Sequence, residues 1–507
     1  MLKHLFNKKN LSAILFSATL LVQSPLQAKV SNTATEAAKF AVDTYQDDML
    51  VSLKQLVKYN TVAKSGLSST DNPVHQAFKK ELAKQAEMLG LDYVDHGYVV
   101  IIGLGDNEQR LGLVTHGDIQ PANAAKWAKS PFELDMTSEP GKIIGRGTED
   151  DKGPIVNVLY AMKTIKDLNI KLKKRIELYV YMAEESDWQP LIDFIKDHSL
   201  PQVNITLDSE YPVVTAEKGY GSLSMIFPDK DITYKESYIS EFSGGFFGSQ
   251  IPEDARAVID NASEKTLATI KKRAKSHSGM QYDYQWQGSS LVVTALGKSA
   301  HSSKPKDGVN AISHLSQLLA FQRWSNNASG ALVNFINDNL GVTLYGEKFG
   351  DIAYRDEFMG EMSVQATVLK QLDNGIKLNI NTRRPRGKSA EQLQDEIADV
   401  MTKWQRVNQF TLKDISVEVG QPFVQTKAPQ IDTLLNVFTH YTGITDAKPI
   451  SIGGGTNSRL FPTAVSFGPS MPNKEYSGHT EHEFITHKQF LLNLKMYTAV
   501  LIELTKA

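Results

Sequence analysis

Leu111-Gly-Leu-Val-Thr-His116-Gly-Asp118 climbs through apolar residues and ends on an imidazole, followed two positions later by a carboxylate. The run at 110–115 is short, apolar and bounded by polar residues, which is the pattern of a buried strand. Two more runs of this kind stand at 175–182 and 203–207. Helical periodicity fills the intervals, at 154–168, where Pro154 suits a first turn, and at 190–198. Alternation of strand and helix predicts a mostly parallel sheet flanked by helices. Ahead of it, 35–57 and 72–89 carry helical periodicity with capping residues nearby. Open sheets of this type bind ligands at the carboxyl ends of their strands, which is where His116 falls.

From about Gly219 the texture changes. Strand-like segments at 222–227, 290–297 and 377–381 mix with helical patterns at 308–321 and 390–407. The first texture returns near Pro429, with a helix at 431–441 and a strand-loop at 449–455. A chain of 507 residues is too long for a single core. The expectation is an α/β protein with a catalytic domain in two pieces, 29–217 and 423–507, and an inserted α/β lid domain at 218–422. At about 200 residues the insertion is an ordinary domain size.

Composition narrows the function. A hydrophobic fraction of 41% with 22% charged residues is that of a globular protein. Lys and Arg number 55 against 57 Asp and Glu, a formal charge of −2, which gives no electrostatic argument for nucleic acid. At the amino terminus Lys3, Lys8 and Lys9 precede an apolar run at 11–22 and then Ser24-Pro25-Leu26-Gln27-Ala28. That order predicts a secretory signal over 1–28, a periplasmic or secreted protein, and no membrane span once the signal is cleaved. There is no cysteine, so any metal must be held by oxygen and imidazole nitrogen.

Donors of those two kinds recur at strand ends. Gly145-Arg-Gly-Thr-Glu149-Asp150-Asp151-Lys-Gly-Pro154 crowds three acids before a helix, where capping needs one. Crowded carboxylates are best tolerated beside a cation. Tyr179-Val-Tyr-Met-Ala-Glu184-Glu185 sets two adjacent acids past a buried strand, so that one can bind metal while the other faces substrate. Asp208 closes the strand at 203–207. Taken singly, His116 is an ordinary loop histidine, and the acids are ordinary helix-start residues. Their repetition along one α/β domain is the signal.

In combination, His116-Gly-Asp118, Gly145-Arg-Gly through Asp150-Asp-Lys-Gly153, Glu184-Glu185, Asp208 and Gly478-His479 resemble the zinc-dependent exopeptidase family of aminoacylases, carnosinases, desuccinylases and bacterial dipeptidases. The resemblance runs from about residue 40 to the carboxyl terminus. It implies the dinuclear-zinc exopeptidase fold with two divalent metal ions, zinc first, manganese or cobalt otherwise. Asp150 would bridge the two metals, with His116 and Asp208 completing one and Glu185 and His479 the other; Asp151 would stand behind them. Glu184 matches the general base, and Asp118 would fix the tautomer of His116 through its other ring nitrogen. His301, in Gly297-Lys-Ser-Ala-His301, matches a lid histidine that stabilises the oxyanion. Arg383 and the loop residues Gly454, Gly455 and Thr456 match groups that bind the substrate and its terminal carboxylate.

The implied reaction is hydrolysis of a dipeptide by a water activated between two metals, completed when the domains close. A deacylase of N-acyl amino acids, of desuccinylase or acetylornithine-deacetylase type, would carry the same metal motifs. A non-catalytic periplasmic binding protein is the distant alternative, and it would have no use for Glu184. Asp at position 208, Glu217-Lys218-Gly219 and the length of the insertion look most like carnosinase-like bacterial dipeptidases. Ser249, where many relatives carry Asn, and His482, where Asn or Asp is usual, depart from that pattern and bear on substrate choice. The expected partner is a small peptide substrate, with the chain acting as a monomer or homodimer.

Overall fold

The computed structural model describes residues 30–230, 234, 236–474 and 476–506. The segment read as a signal, 1–28, lies outside the described residues. Two sheets, each with its own core, organise the rest.

The first sheet has nine strands. Arg110–His116 lies at its centre, parallel to Arg175–Tyr181 on one side and to Val203–Thr206 on the other. Val465–Ser466 continues the parallel ladder beside Val203–Thr206. Both margins bring in antiparallel pairs. Asp92–Asp95 and Val99–Leu104 form a hairpin against Arg175–Tyr181, and Val214–Glu217 carries Phe423–Val424 antiparallel and Ile450–Ile452 parallel. The hairpin has no room for a crossover, and only crossovers make neighbours parallel. The central strands are buried almost end to end, which explains their continuous apolar runs.

Helices Asn32–Val57, Lys152–Asp167 and His487–Thr505 bury their apolar faces together over this sheet; Ala34, Met49, Leu53, Leu159 and Val500 belong to one core. Ser31 and Thr486 cap two of them by accepting backbone N–H groups. Pro154 sits in the first turn of the middle helix, which starts at Lys152.

The second sheet has eight strands, in the order Gln281–Gln287, Ser290–Leu296, Asp254–Asp260, Tyr238–Gly244, Ser363–Leu372, Gly375–Arg384, Gly219–Pro228 and Lys413–Val419. Every pairing in it is antiparallel. Helices Glu264–Ala274, Ala311–Leu318, Ala328–Asn339 and Ala390–Asn408 contribute to its separate core. The chain leaves the first sheet after Val214–Glu217, enters the second at Gly219–Pro228, and returns from Lys413–Val419 to Phe423–Val424. A short pair outside both sheets, Gln250–Ile251 with Ala300–His301, faces the first domain.

Candidate active site

The central strands deliver their acids and imidazole to one edge. His116 is the last residue of its strand, Glu184 and Glu185 follow Arg175–Tyr181, and Asp208 follows Val203–Thr206. Asp150 comes from the loop before Lys152–Asp167, and His479 from the loop before the last helix. All five expected metal ligands converge. His116 Nε2 lies 2.9 Å from Asp150 Oδ1 and 3.9 Å from Asp208 Oδ2. His479 Nε2 lies 3.0 Å from Asp150 Oδ2 and 2.9 Å from Glu185 Oε1. The two oxygens of Asp150 therefore face different imidazoles, and each imidazole has a second carboxylate beside it.

Glu184 joins the same cluster, because donor atoms of His116, Glu184 and Asp208 all lie within 4.8 Å of one another, as do those of His116, Asp150 and Glu185. Asn457 Nδ2 donates to Glu184 Oε1 at 3.4 Å. Tyr476 Oη donates to Asp150 Oδ2 at 2.9 Å.

The charges are unbalanced among themselves. Burial first, then the Asp208 charge, pushes the Glu184 carboxyl well above the usual range. Burial and Asp150 do the same to Asp208. Asp150 is held well below it, despite burial, by His116 and His479. Against their own burial the carboxylates hold protons on both imidazoles, lifting His479 to about 10 and His116 well above its ordinary value. Four buried or half-buried carboxylates that draw protons onto two imidazoles make a site short of positive charge. Divalent ions in place of those protons would supply it, and an all-oxygen-and-imidazole donor set suits zinc, manganese or cobalt. The residues present fit the group.

Asp118 sits elsewhere than expected. The acceptor for His116 Nδ1 is the backbone carbonyl of Asp118 at 3.0 Å, whereas its carboxylate oxygen is 3.6 Å away. That carboxylate instead accepts the N–H of Glu184 at 3.0 Å and of Glu185 at 3.1 Å. It fixes the backbone that carries the two acids. Asp151 is buried behind the cluster, with neither carboxylate oxygen hydrogen-bonded among the described residues, and burial raises its pKa.

Two further acids, neither of them an expected ligand, build the loops. Glu483 accepts Arg146 and the N–H groups of Gly147, Glu149 and Asp150, at 2.9 to 3.0 Å. Glu149 accepts the hydroxyls of Ser470 and Ser477 and the N–H of Ser477, so it ties the Asp150 loop to the His479 loop. Nothing in the sequence marks Tyr476 or Glu149 for these roles; Glu483 is betrayed only by standing four residues beyond a ligand. His479 itself has a left-handed backbone, φ +64°. Before it, Gly478 leaves no room for a side chain: a Cβ there would lie 2.3 Å from Tyr476 Oη and 3.0 Å from Asp150 Oδ2.

From the inserted domain, His301 reaches the cluster, its ring centroid 4.7 Å from that of His479. Burial pushes its pKa well below the ordinary value, so the ring is neutral. Ser303 meets His301 Nδ1 with its hydroxyl, at 2.6 Å, and with its N–H, at 3.2 Å. An N–H can only donate, so Nδ1 is the acceptor and Nε2 carries the proton. Arg383 is buried; Nε donates to Asn381 and Nη2 to Ser302, at 3.1 and 3.2 Å. Burial lowers its pKa to about 10, still far above neutrality.

A pocket of about 90 Å³ beside the cluster is lined by Asp150, Glu184, Asp208, His301, Gly454 and Gly455. The adjoining cleft shares Glu184, His301, Gly454 and Gly455 and adds Arg383, Ser249 and Tyr220. Thr456 lines the pocket, but its hydroxyl is committed: it donates to Glu217 at 2.6 Å and accepts the Ser458 N–H at 3.1 Å. Its side chain shapes the glycine loop and has no donor left for a substrate. His482 is exposed and pairs with Glu139 at 2.7 Å, away from both cavities.

A model of peptidase family M20/M25/M40 matches residues 112–503. The protein named "Putative dipeptidase YtjP" of Bacillus subtilis is 26% identical over 471 residues, 91% of this chain and 98% of its own length. A Staphylococcus aureus protein with the same kind of name is 29% identical over 479 residues, 92% and 99% of the two chains. Human carnosine dipeptidase 1 superposes with a TM-score of 0.55 at 14% identity, covering 93% of this chain and 99% of that one. The yeast di-peptidase Dug1p of Saccharomyces cerevisiae gives 0.55 at 13% identity, covering 92% and 98%. At these identities the two structures speak to fold alone.

Proposed function

Since the chain belongs to peptidase family M20/M25/M40, an enzyme family of metal-dependent hydrolases, we propose that it hydrolyses dipeptides with two divalent metal ions, zinc first. The observation that carries this reading is Asp150, whose two oxygens lie against His116 and His479 while Asp208 and Glu185 flank those imidazoles. Full-length similarity to proteins named dipeptidases supports the choice of substrate class.

His116, Asp208 and Asp150 would hold one ion, and Asp150, Glu185 and His479 the other. Bound there, the ions would acidify water and polarise a carbonyl. Glu184 takes the proton from the attacking water and returns it to the leaving amine, a role suited to a buried carboxylate with a raised pKa. His301 donates its Nε2–H to the developing oxyanion. Arg383 and the glycine loop bind the substrate's terminal carboxylate in the adjoining cleft.

The test is a panel of dipeptides against N-acyl amino acids, with metal analysis of the same preparations. Turnover of dipeptides is expected, with a requirement for the free α-amine; exclusive turnover of acylated amino acids would establish the deacylase, and turnover of neither would sink the peptidase. Glu184→Gln should cost 10²- to 10⁴-fold in kcat, on the scale of a lost general base, with metal content unchanged. Loss of metal would make Glu184 a ligand instead.

A further inference from the structure

The inserted domain touches a metal-ligand candidate directly. Ser249 Oγ lies 3.2 Å from His479 Nδ1. The serine is held from behind, its carbonyl accepting the Ser302 N–H at 2.8 Å. Its neighbour Gln250 pairs with His301 in the two-stranded ladder of Gln250–Ile251 and Ala300–His301. Ser249 and His301 therefore ride on one short ladder of the inserted domain. Phe247 of the same segment packs edge-on to His479, ring centroids 6.0 Å apart.

An imidazole that binds a metal through Nε2 must carry its proton on Nδ1, and that proton needs an acceptor to fix the ring. Among the described residues Ser249 Oγ is the group that meets His479 Nδ1. Here the acceptor comes from the other domain, so it is present only when the domains are together. The seat is close: a Cβ on Gly453 of the first domain would lie 2.6 Å from the Ser303 carbonyl of the second. Charged pairs Lys304–Glu210, at 2.8 Å, and Lys126–Glu253, at 2.7 Å, bridge the same interface.

We propose that Ser249 is a positioning residue that links closure of the inserted domain to occupancy of the metal position at His479. The inference rests on the reading of His479 as a metal ligand. Closure supplies the Nδ1 acceptor and strengthens that position; by reciprocity, metal at that position favours closure by the same factor. The His116 position has its Nδ1 acceptor, the Asp118 carbonyl, within its own domain and is outside this linkage.

The test uses the full chain, stripped of metal and titrated with Zn2+ against a chromophoric chelator, as wild type, Ser249→Ala and Ser249→Thr. In wild type two sites are expected. Ser249→Ala should weaken one of them by about 10- to 100-fold, the usual effect of losing a ligand's hydrogen-bond partner, and leave the other unchanged. Ser249→Thr keeps the hydroxyl and should restore most of the loss. In parallel, small-angle scattering should show contraction of wild type as the Ser249-sensitive site fills, and contraction of Ser249→Ala only at correspondingly higher Zn2+. Equal affinities in wild type and Ser249→Ala would overturn the proposal. Equal weakening of both sites, or a Thr variant no better than Ala, would do the same. A wild type that binds fewer than two ions would overturn the dinuclear reading itself, which is a different result.

Discussion

Replacing Glu483 by Ala is expected to cost the first domain about 3–5 kcal/mol, the loss typical of breaking a buried ion pair from one side. The side chain is fully buried, as is Arg146. One carboxylate oxygen takes Arg146 Nη1 and the Gly147 N–H, both at 2.9 Å; the other takes the N–H groups of Glu149 and Asp150 at 2.9 and 3.0 Å. Burial raises the pKa of Glu483 even with Arg146 beside it. The pair's own attraction therefore does little more than offset desolvation, and the cost lies in what the mutation strands. Alanine leaves a guanidinium with only the carbonyls of Pro121 and Thr480, and three N–H groups with no acceptor. Glu483→Gln keeps the shape but must turn its NH2 toward two donors on one side or the other. It should lose at least one charge-assisted bond, about 1.5–3 kcal/mol. The assay is urea unfolding of metal-free protein in excess chelator, followed by tryptophan fluorescence; Trp127 stacks near Arg146, at 5.6 Å, and reports this region. The two domains are to be fitted as separate transitions. An alanine variant within about 1 kcal/mol of wild type in both transitions would refute the reasoning; so would a Gln variant more stable than wild type.

Gly478→Ala should disrupt the bridge position, because the new methyl must displace Tyr476 Oη and the Asp150 carboxylate; metal analysis of the purified variant should show less than one ion per chain, and two ions with wild-type turnover would contradict the packing argument. His482→Asn should leave dipeptide preference and kcat/KM within about twofold of wild type, since the side chain is exposed and paired with Glu139 outside the cavities, and surface changes of this kind usually stay within 0.5 kcal/mol; a changed preference profile would show that the loop transmits to the pocket.

Local patterning shows burial well and pairing partners poorly. The runs at 110–115, 175–182 and 203–207 are apolar on consecutive positions, which only a strand covered on both faces needs, and they occupy the parallel centre. The inserted domain gives no such hint. Gln281–Gln287 reads Gln-Tyr-Asp-Tyr-Gln-Trp-Gln, a half-exposed alternation, and it becomes an edge strand. Nothing within those seven residues says that the neighbour is Ser290–Leu296 or that the whole sheet is antiparallel. Ser249 and His482 make the same point for the site. Both depart from the expected pattern in sequence; one lies on a metal-ligand candidate and the other on the outer surface, and only the three-dimensional path of each loop separates them.

The position of Asp118 follows from register. His116 stands opposite Tyr181 in the parallel ladder, so the residues just past each strand end run side by side. Two residues beyond His116 is Asp118, and three and four beyond Tyr181 are Glu184 and Glu185. Neighbouring strands lie about 4.8 Å apart, close enough for a short carboxylate to span to the next loop. There it meets two N–H groups that the end of the strand leaves unpaired. The backbone carbonyl of the same residue is left to hold His116. A single aspartate thus fixes both the imidazole and the two acids, through different atoms. Separation of two residues along the chain points to only one of those contacts; the other depends on which strand lies alongside.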